Sequence, residues 1–326
     1  MSDHSPIGDR HLLPAQGCQD AVGTNPQLIR IVVADNWAVS YAGQLLVSCL
    51  VNLLVRQVGY VRHLEIICAD APCLIRLPGV ATPKTFAAGL IDLASWAVNG
   101  AVKVSLQATP EVDQLLLIGA PPSESVPAHL HALCALGSDW RAWVGDAEAA
   151  PLDVEPLGSN PIGPFLAAAL LAGEVFKHSR GIVRGRYLTS HGYSLWSGKS
   201  SAGWHELEAG PSVTGVSLPP THLVGAGAVG NVVAYIASYL GLATGFFVPV
   251  DDDHYDATNL NRCPLGGWAD LGHPKVDSLD RTLRAAGVGS YPFIGTIKTY
   301  LTDPRVDLRR DIASAVDELR FEVVLS

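Results

Sequence analysis

Residues 221–275 read THLVGAGAVGNVVAYIASYLGLATGFFVPVDDDHYDATNLNRCPLGGWADLGHPK. The apolar run His222-Leu223-Val224 enters a glycine loop, with Gly225, Gly227 and Gly230 in GxGxxG spacing. An apolar segment over residues 232–240 is long enough for a helix, and a second strand-like run over 245–250 ends in Asp251, Asp252 and Asp253. This is one βαβ unit with glycines at its turn and an acid at the tip of the next strand. Such glycines let the backbone approach phosphates, and the following helix directs free N–H groups and its positive dipole end at them. An aspartate at the next strand tip accepts hydrogen bonds from ribose hydroxyls. The glycines alone fit tight helix–strand packing equally well, and together with Asp251 they also fit NAD.

The sequence further on favours a triphosphate. Asn259-Leu260-Asn261-Arg262 follows the acids, and Lys275 closes a Gly-His-Pro-Lys turn. A hydride-transferring dehydrogenase needs no Asn–Arg pair and lysine beyond its ribose acid. Two cations beside a triphosphate neutralise charge that develops during phosphoryl or nucleotidyl transfer.

Order and spacing resemble the adenylating domain of the ThiF/MoeB/ubiquitin-activating enzyme superfamily: GxGxxG, a strand ending Asp-x-Asp, Asn-Leu-x-Arg-Gln, then Gly-x-x-Lys. The resemblance implies that the backbone at Gly225, Gly227 and Gly230 cradles phosphate, that Asp251 holds the ribose, and that Asn259, Arg262 and Lys275 contact ATP phosphates. Asp253 is a candidate for magnesium bridging, and Arg262 and Lys275 are the candidate catalytic residues. ATP and Mg2+ are the implied cofactors, and a ubiquitin-like or sulfur-carrier protein is the implied partner. Its C-terminal carboxylate would be activated as an acyl-adenylate, with sulfur transfer or ligation downstream. This chain has Cys263 where the family has glutamine and Asn231 where it has a small hydroxyl residue, and no Arg-Tyr-x-Arg segment precedes the glycine loop. Residues 321–326 resemble the strand before the family's Thr-Asp-Asn-like turn, so the second domain is expected to be incomplete at its C-terminus.

Toward the N-terminus the same architecture recurs. Residues 28–34 read as a strand, 43–58 as an apolar helix and 64–69 as a strand ending at Asp70. Asp35-Asn36-Trp37-Ala38-Val39-Ser40 stands where a glycine loop would be, and a tryptophan and an acid there leave little room for phosphate. This is a faded repeat without its ligand, or simply the likeness any two βαβ units share. Residues 114–119 read as a buried strand, 128–136 as a short helix, and 140–144 fit no single element. An alanine-rich helix follows over 164–177. Residues 180–220, rich in Gly, Ser, Tyr and Trp, read as a long connection. Arg180, Arg184 and Arg186 within it read as solvated or paired with the excess of acids. Residues 276–286 and 312–319 read as helices, and 290–297 as a strand.

The expected fold is therefore α/β: two Rossmann-like, doubly wound, mostly parallel sheets. The expected organisation is a flexible lead-in over 1–27, a degenerate ThiF-like half over 28–190, a linker over 191–220 and an ATP-binding half over 221–326. By resemblance such halves pair about a pseudo-twofold axis, as a dimer or an internal pseudo-dimer. The chain has 326 residues with 48% hydrophobic and 16% charged, which fits core-rich folded domains. A net charge of -9 without a basic run argues against nucleic acid. Apolar runs are too short for a membrane span and residues 1–27 contain no apolar signal core, so a cytoplasmic location is expected. The six cysteines form no CxxC pair and read as buried thiols, and His191, His205 and His254 have no partner at metal spacing, so no protein-built metal site is expected. The remaining function classes are a nicotinamide-dependent oxidoreductase, which would need a hydride-transfer acid or base elsewhere, and a non-catalytic nucleotide-binding scaffold.

Overall fold

The computed structural model describes residues 26–119, 130–181, 188–303 and 322–325. The chain divides between Ser212 and Val213 into two compact units.

The first unit is built on an eight-stranded mixed sheet. It runs β1 (Gln27–Val33), α1 (Asp35–Ala38), α2 (Tyr41–Val55), β2 (Val61–Ile67), α3 (Phe86–Val98), β3 (Lys103–Ser105), β4 (Gln114–Ile118), β5 (His131–Ser138), β6 (Arg141–Asp146), α4 (Ile162–Ser179), β7 (Ser190–Ser194) and β8 (Lys199–Ser201). The strand order is β3-β2-β1-β4-β5-β6-β7-β8. The first five strands pair in parallel, and β6, β7 and β8 add on antiparallel.

Local chemistry sets the helix ends. Ser40 caps α2 by accepting from the Gly43 N–H, and Thr85 caps α3 by accepting from Ala88. Asn99 ends α3 in the left-handed conformation, with φ 50°. Helix α2 is buried almost all round because it packs between α3 and α4 as well as on the sheet.

The chain reverses direction in this sheet between β1 and β4, where a doubly wound sheet opens a ligand crevice beyond its strand ends. Trp37, fully buried in α1, sits against Gly119 just past β4. A Cβ at Gly119 would lie 1.9 Å from the indole, so bulk at 37 requires its absence at 119.

Several expectations are corrected here. Residues 131–138 are a strand, not a helix, because β4 and β6 supply hydrogen-bonding partners on both sides. The stretch read as a connection from 180 carries β7 and β8, which extend the first sheet as a hairpin. Arg180 is buried and donates to the Tyr60 hydroxyl at 2.9 Å, its guanidinium 5.8 Å from the ring centroid, so it is not solvated, and among the described residues it is not ion-paired with an acid. Arg184, Arg186, residues 1–25 of the lead-in and the helix expected over 312–319 lie outside the described residues.

The second unit has a parallel sheet in the order β11-β10-β9-β13, with β12 also pairing with β10. Its elements are β9 (Thr221–Val224), α5 (Ala228–Ala237), β10 (Phe246–Asp251), α6 (Lys275–Ala285), β11 (Gly289–Ser290), β12 (Phe293–Ile294), α7 (Ile297–Thr302) and β13 (Glu322–Leu325). The strand expected over 290–297 is thus two short strands running into a helix. Val248, Val250, Phe293 and Tyr300 form an apolar cluster on β10. Among the described residues no helix is long and apolar enough to cross a membrane.

Candidate functional site

The glycine loop is the turn from β9 into α5. Gly225 has φ +92°, which favours glycine, and its N–H donates to Val250 O at 2.8 Å. Gly230 lies in the first turn of α5, and a Cβ there would meet Gly225 O at 1.9 Å. Gly227 is different: it caps α5 without a side-chain hydrogen bond, and a Cβ on it would meet nothing within 4 Å. Gly225 and Gly230 thus let the loop close on the helix, while Gly227 faces open space beside the helix N-terminus. That opening fits a phosphate, which needs close backbone approach and N–H donors.

Asp251 is the last residue of β10. One carboxylate oxygen accepts from the Ala226 N–H in the glycine loop, and the other accepts from the Asp253 N–H at 2.8 Å. Asp253 carries the chain onward to Lys275. Its backbone oxygen accepts from the Lys275 N–H at 3.0 Å, and its carboxylate is ion-paired with the Lys275 ammonium. Lys275 is nearly buried, with its side chain 6% exposed, whereas the Asp253 side chain is 64% exposed. The hydrogen bond from Lys275 is the main cause holding the Asp253 carboxyl below its ordinary range. Loop, aspartates and lysine are therefore gathered at one edge of this sheet.

Asn259 and Arg262 are positioned by a short 3-10 turn. Asn259 Oδ1 accepts from the Asp256 N–H at 3.1 Å, closing a capping box with Asp256. Arg262 Nη1 donates to Thr258 O at 2.6 Å and to Asn261 Oδ1 at 3.3 Å. Among the described residues the Arg262 guanidinium thus bonds within its own turn and not to the glycine loop. Asp252 is exposed and next to this edge. Among the described residues no group of three or more His, Cys, Asp or Glu could hold a metal ion.

Asn231, singled out from the sequence only as a departure from a pattern, is fully buried and bonded at both ends of its amide. A polar residue inside an otherwise apolar helix is the one signal that marks it in the sequence. Cys263 is likewise buried, 1% exposed.

Comparison with known proteins identifies both halves. Residues 221–307 match the ThiF family, and residues 28–195, more than half the chain, match the family described as BilD N-terminal domain. No curated protein matches the chain. Solved structures with similarity include E. coli MccB with ATP, at 23% identity over 29% of this chain and 27% of that one, TM-score 0.23. They also include selenomethionine PaaA, at 14% identity over 54% of this chain and 62% of that one, TM-score 0.36. A third is the microcin C7 biosynthetic enzyme MccB in complex with N-formylated MccA, at 15% identity over 53% and 63%, TM-score 0.38. The match spans about a quarter of the length of the MccB chain with ATP and under two thirds of the other two. The chain belongs to the family described as BilD N-terminal domain, and it carries a ThiF-family domain at residues 221–307.

Proposed function

We propose that this protein is an ATP-dependent adenylating enzyme that activates the C-terminal carboxylate of a ubiquitin-like or sulfur-carrier protein, or of a peptide. The observation that carries this reading is the continuous chain of contacts Ala226–Asp251–Asp253–Lys275 at one sheet edge. An acid suited to a ribose, an N–H-rich loop and a lysine in one chain of contacts support this reading, and a hydride-transfer dehydrogenase does not need that lysine together with the Asn259–Arg262 pair beyond its ribose acid. The ThiF match over the same residues supports it.

In this reading the loop's backbone N–H groups and the α5 N-terminus bind phosphate oxygens, and Asp251 orients the ribose. A carboxylate oxygen of the partner attacks the α-phosphorus. The bond from that phosphorus to the leaving oxygen breaks, releasing pyrophosphate and leaving an acyl-adenylate. Lys275, held beside the site by Asp253, counters the charge that spreads over the phosphates. Arg262 serves as the second cation once its guanidinium turns from Thr258 toward the triphosphate. The carboxylates of Asp252 and Asp253 are hard oxygen donors that suit magnesium arriving with the nucleotide, where it supplies charge neutralisation.

We further propose that the first unit, up to Ser212 and including β7 and β8, binds no nucleotide, and that the second unit, from Val213, is the nucleotide half. ATP–pyrophosphate exchange by the intact chain with candidate carrier peptides ending in a free glycine tests the activity. Label entering ATP supports an enzyme; ATP binding without exchange across such carriers favours a scaffold.

A further inference from the structure

We infer that Asn231 and Tyr255 are positioning residues: a buried hydrogen-bond relay through them sets the glycine loop in register with the helix that carries Lys275. The inference rests on the adenylating reading for its functional consequence, but its geometry stands apart from it. Asn231 Nδ2 donates to Ala226 O in the loop at 2.8 Å, and its backbone N–H donates to Gly227 O at 2.9 Å. Asn231 Oδ1 accepts from the Leu265 N–H at 3.0 Å and from the Tyr255 hydroxyl at 3.3 Å, which fills both lone pairs. With its proton given to Asn231, the Tyr255 oxygen accepts from Ser278 Oγ in α6 at 2.6 Å, so the single Ser278 proton is shared between Tyr255 and the Lys275 carbonyl 3.0 Å away. The relay thus runs from residue 226 in the loop to Ser278 in the first turn of α6, the helix that begins with Lys275, and it ties in the segment just past Arg262 through Leu265.

Position, burial and chemistry agree. Asn231, Tyr255 and Ser278 are 0%, 3% and 1% exposed. Burial keeps the phenol protonated, its pKa pushed far above the ordinary tyrosine range. A buried polar group that fails to find its partner is costly, so each bond in the relay penalises displacement of the element it joins. An apolar core would hold the same helices together without fixing their register as tightly. Small misplacement between a phosphate cradle and its cation is enough to weaken binding and slow chemistry.

The test uses Tyr255→Phe, which keeps the ring and removes the hydroxyl link, together with Ser278→Ala, the double variant and Asn231→Ala. Hydrogen exchange is followed without nucleotide, and ATP–Mg affinity is measured by calorimetry on the folded chain. We expect about tenfold faster exchange at the Leu265 amide in Asn231→Ala. In Tyr255→Phe we expect faster exchange in residues 225–231 and roughly tenfold weaker ATP–Mg binding. The double variant should weaken binding no more than the stronger single change. Faster loop exchange when the parent binds no ATP would sink the adenylating reading and leave the relay standing. Unchanged loop exchange in both Tyr255→Phe and Asn231→Ala overturns the relay. So does a parent-like ATP affinity in Tyr255→Phe when the parent binds.

Discussion

The Asp253 carboxylate meets the Lys275 ammonium across twenty-two residues of sequence, with the lysine side chain almost fully buried and the aspartate largely exposed. A buried lysine without a counter-charge loses its hydration and gains nothing in return. Asp253 is thus what allows the Lys275 ammonium to be held nearly buried.

That pairing gives the site a pH dependence with a definite sign. Asp253 is held below its ordinary range, chiefly by the hydrogen bond from Lys275. Its contribution to stability is therefore present above the unfolded carboxylate value of about 4 and is lost as pH falls through the folded value. Asp253→Asn should lower stability near neutral pH by about 1 kcal/mol or less, since solvent screens the exposed carboxylate. Denaturant titrations of parent and variant should converge as the pH drops below about 4. A difference that persists at lower pH would show that the pair is not its source.

The three loop glycines should separate folding from binding. Gly230→Ala forces a methyl into the carbonyl of Gly225, and overpacking of this kind costs ~1–3 kcal/mol. Gly227→Ala meets open space, so its melting temperature should stay close to the parent's while ATP–Mg affinity falls at least tenfold. Thermal melts read beside calorimetry distinguish the two effects, and a Gly227→Ala protein that binds ATP normally would remove Gly227 from the phosphate cradle.

Trp37 should matter to the first unit's fold and not to nucleotide binding. Truncating a fully buried tryptophan removes its contacts with Gly119 and leaves a cavity, at a cost of ~3–5 kcal/mol. Trp37→Ala, or Trp37→Leu if the alanine variant does not fold, should lower the melting temperature and keep the parent's ATP–Mg affinity. A changed affinity would contradict the proposal that the first half takes no part in the nucleotide site.

Much of this architecture was legible in residue patterns. β1, β2, β9 and β10 are short apolar runs, and the helices between them bury enough apolar surface to be read by length alone. The glycine loop and the acid at the tip of β10 announce a turn and a polar strand end. Other features carry no such mark. Residues 131–138 are rich in Ala and Leu, a composition that suits helix and strand alike, and only pairing with β4 and β6 decides between them. Helix α3 is marked chiefly at its ends, by the Thr85 cap and the Asn99 stop. β7 and β8 are built from Ser, Gly, Tyr and Lys, which resemble a connection until a sheet edge supplies hydrogen-bond partners. The turn at Gly225 and Gly230 and the strand end at Asp251 follow from spacing, but Asn231 has no spacing rule, because its contacts depend on Tyr255 and Leu265 folding back onto α5.

ATP–Mg binding to the intact chain, measured beside NADH and repeated with Asp251→Ala, addresses the nucleotide assignment most directly. Asp251 accepts from Ala226 and Asp253, and a charged hydrogen-bond partner is worth roughly 2–4 kcal/mol in such sites. ATP–Mg should bind the parent and raise its melting temperature, NADH should do neither, and Asp251→Ala should lose at least tenfold in ATP affinity. Stabilisation by NADH without ATP, or an Asp251→Ala protein that binds ATP like the parent, would contradict it.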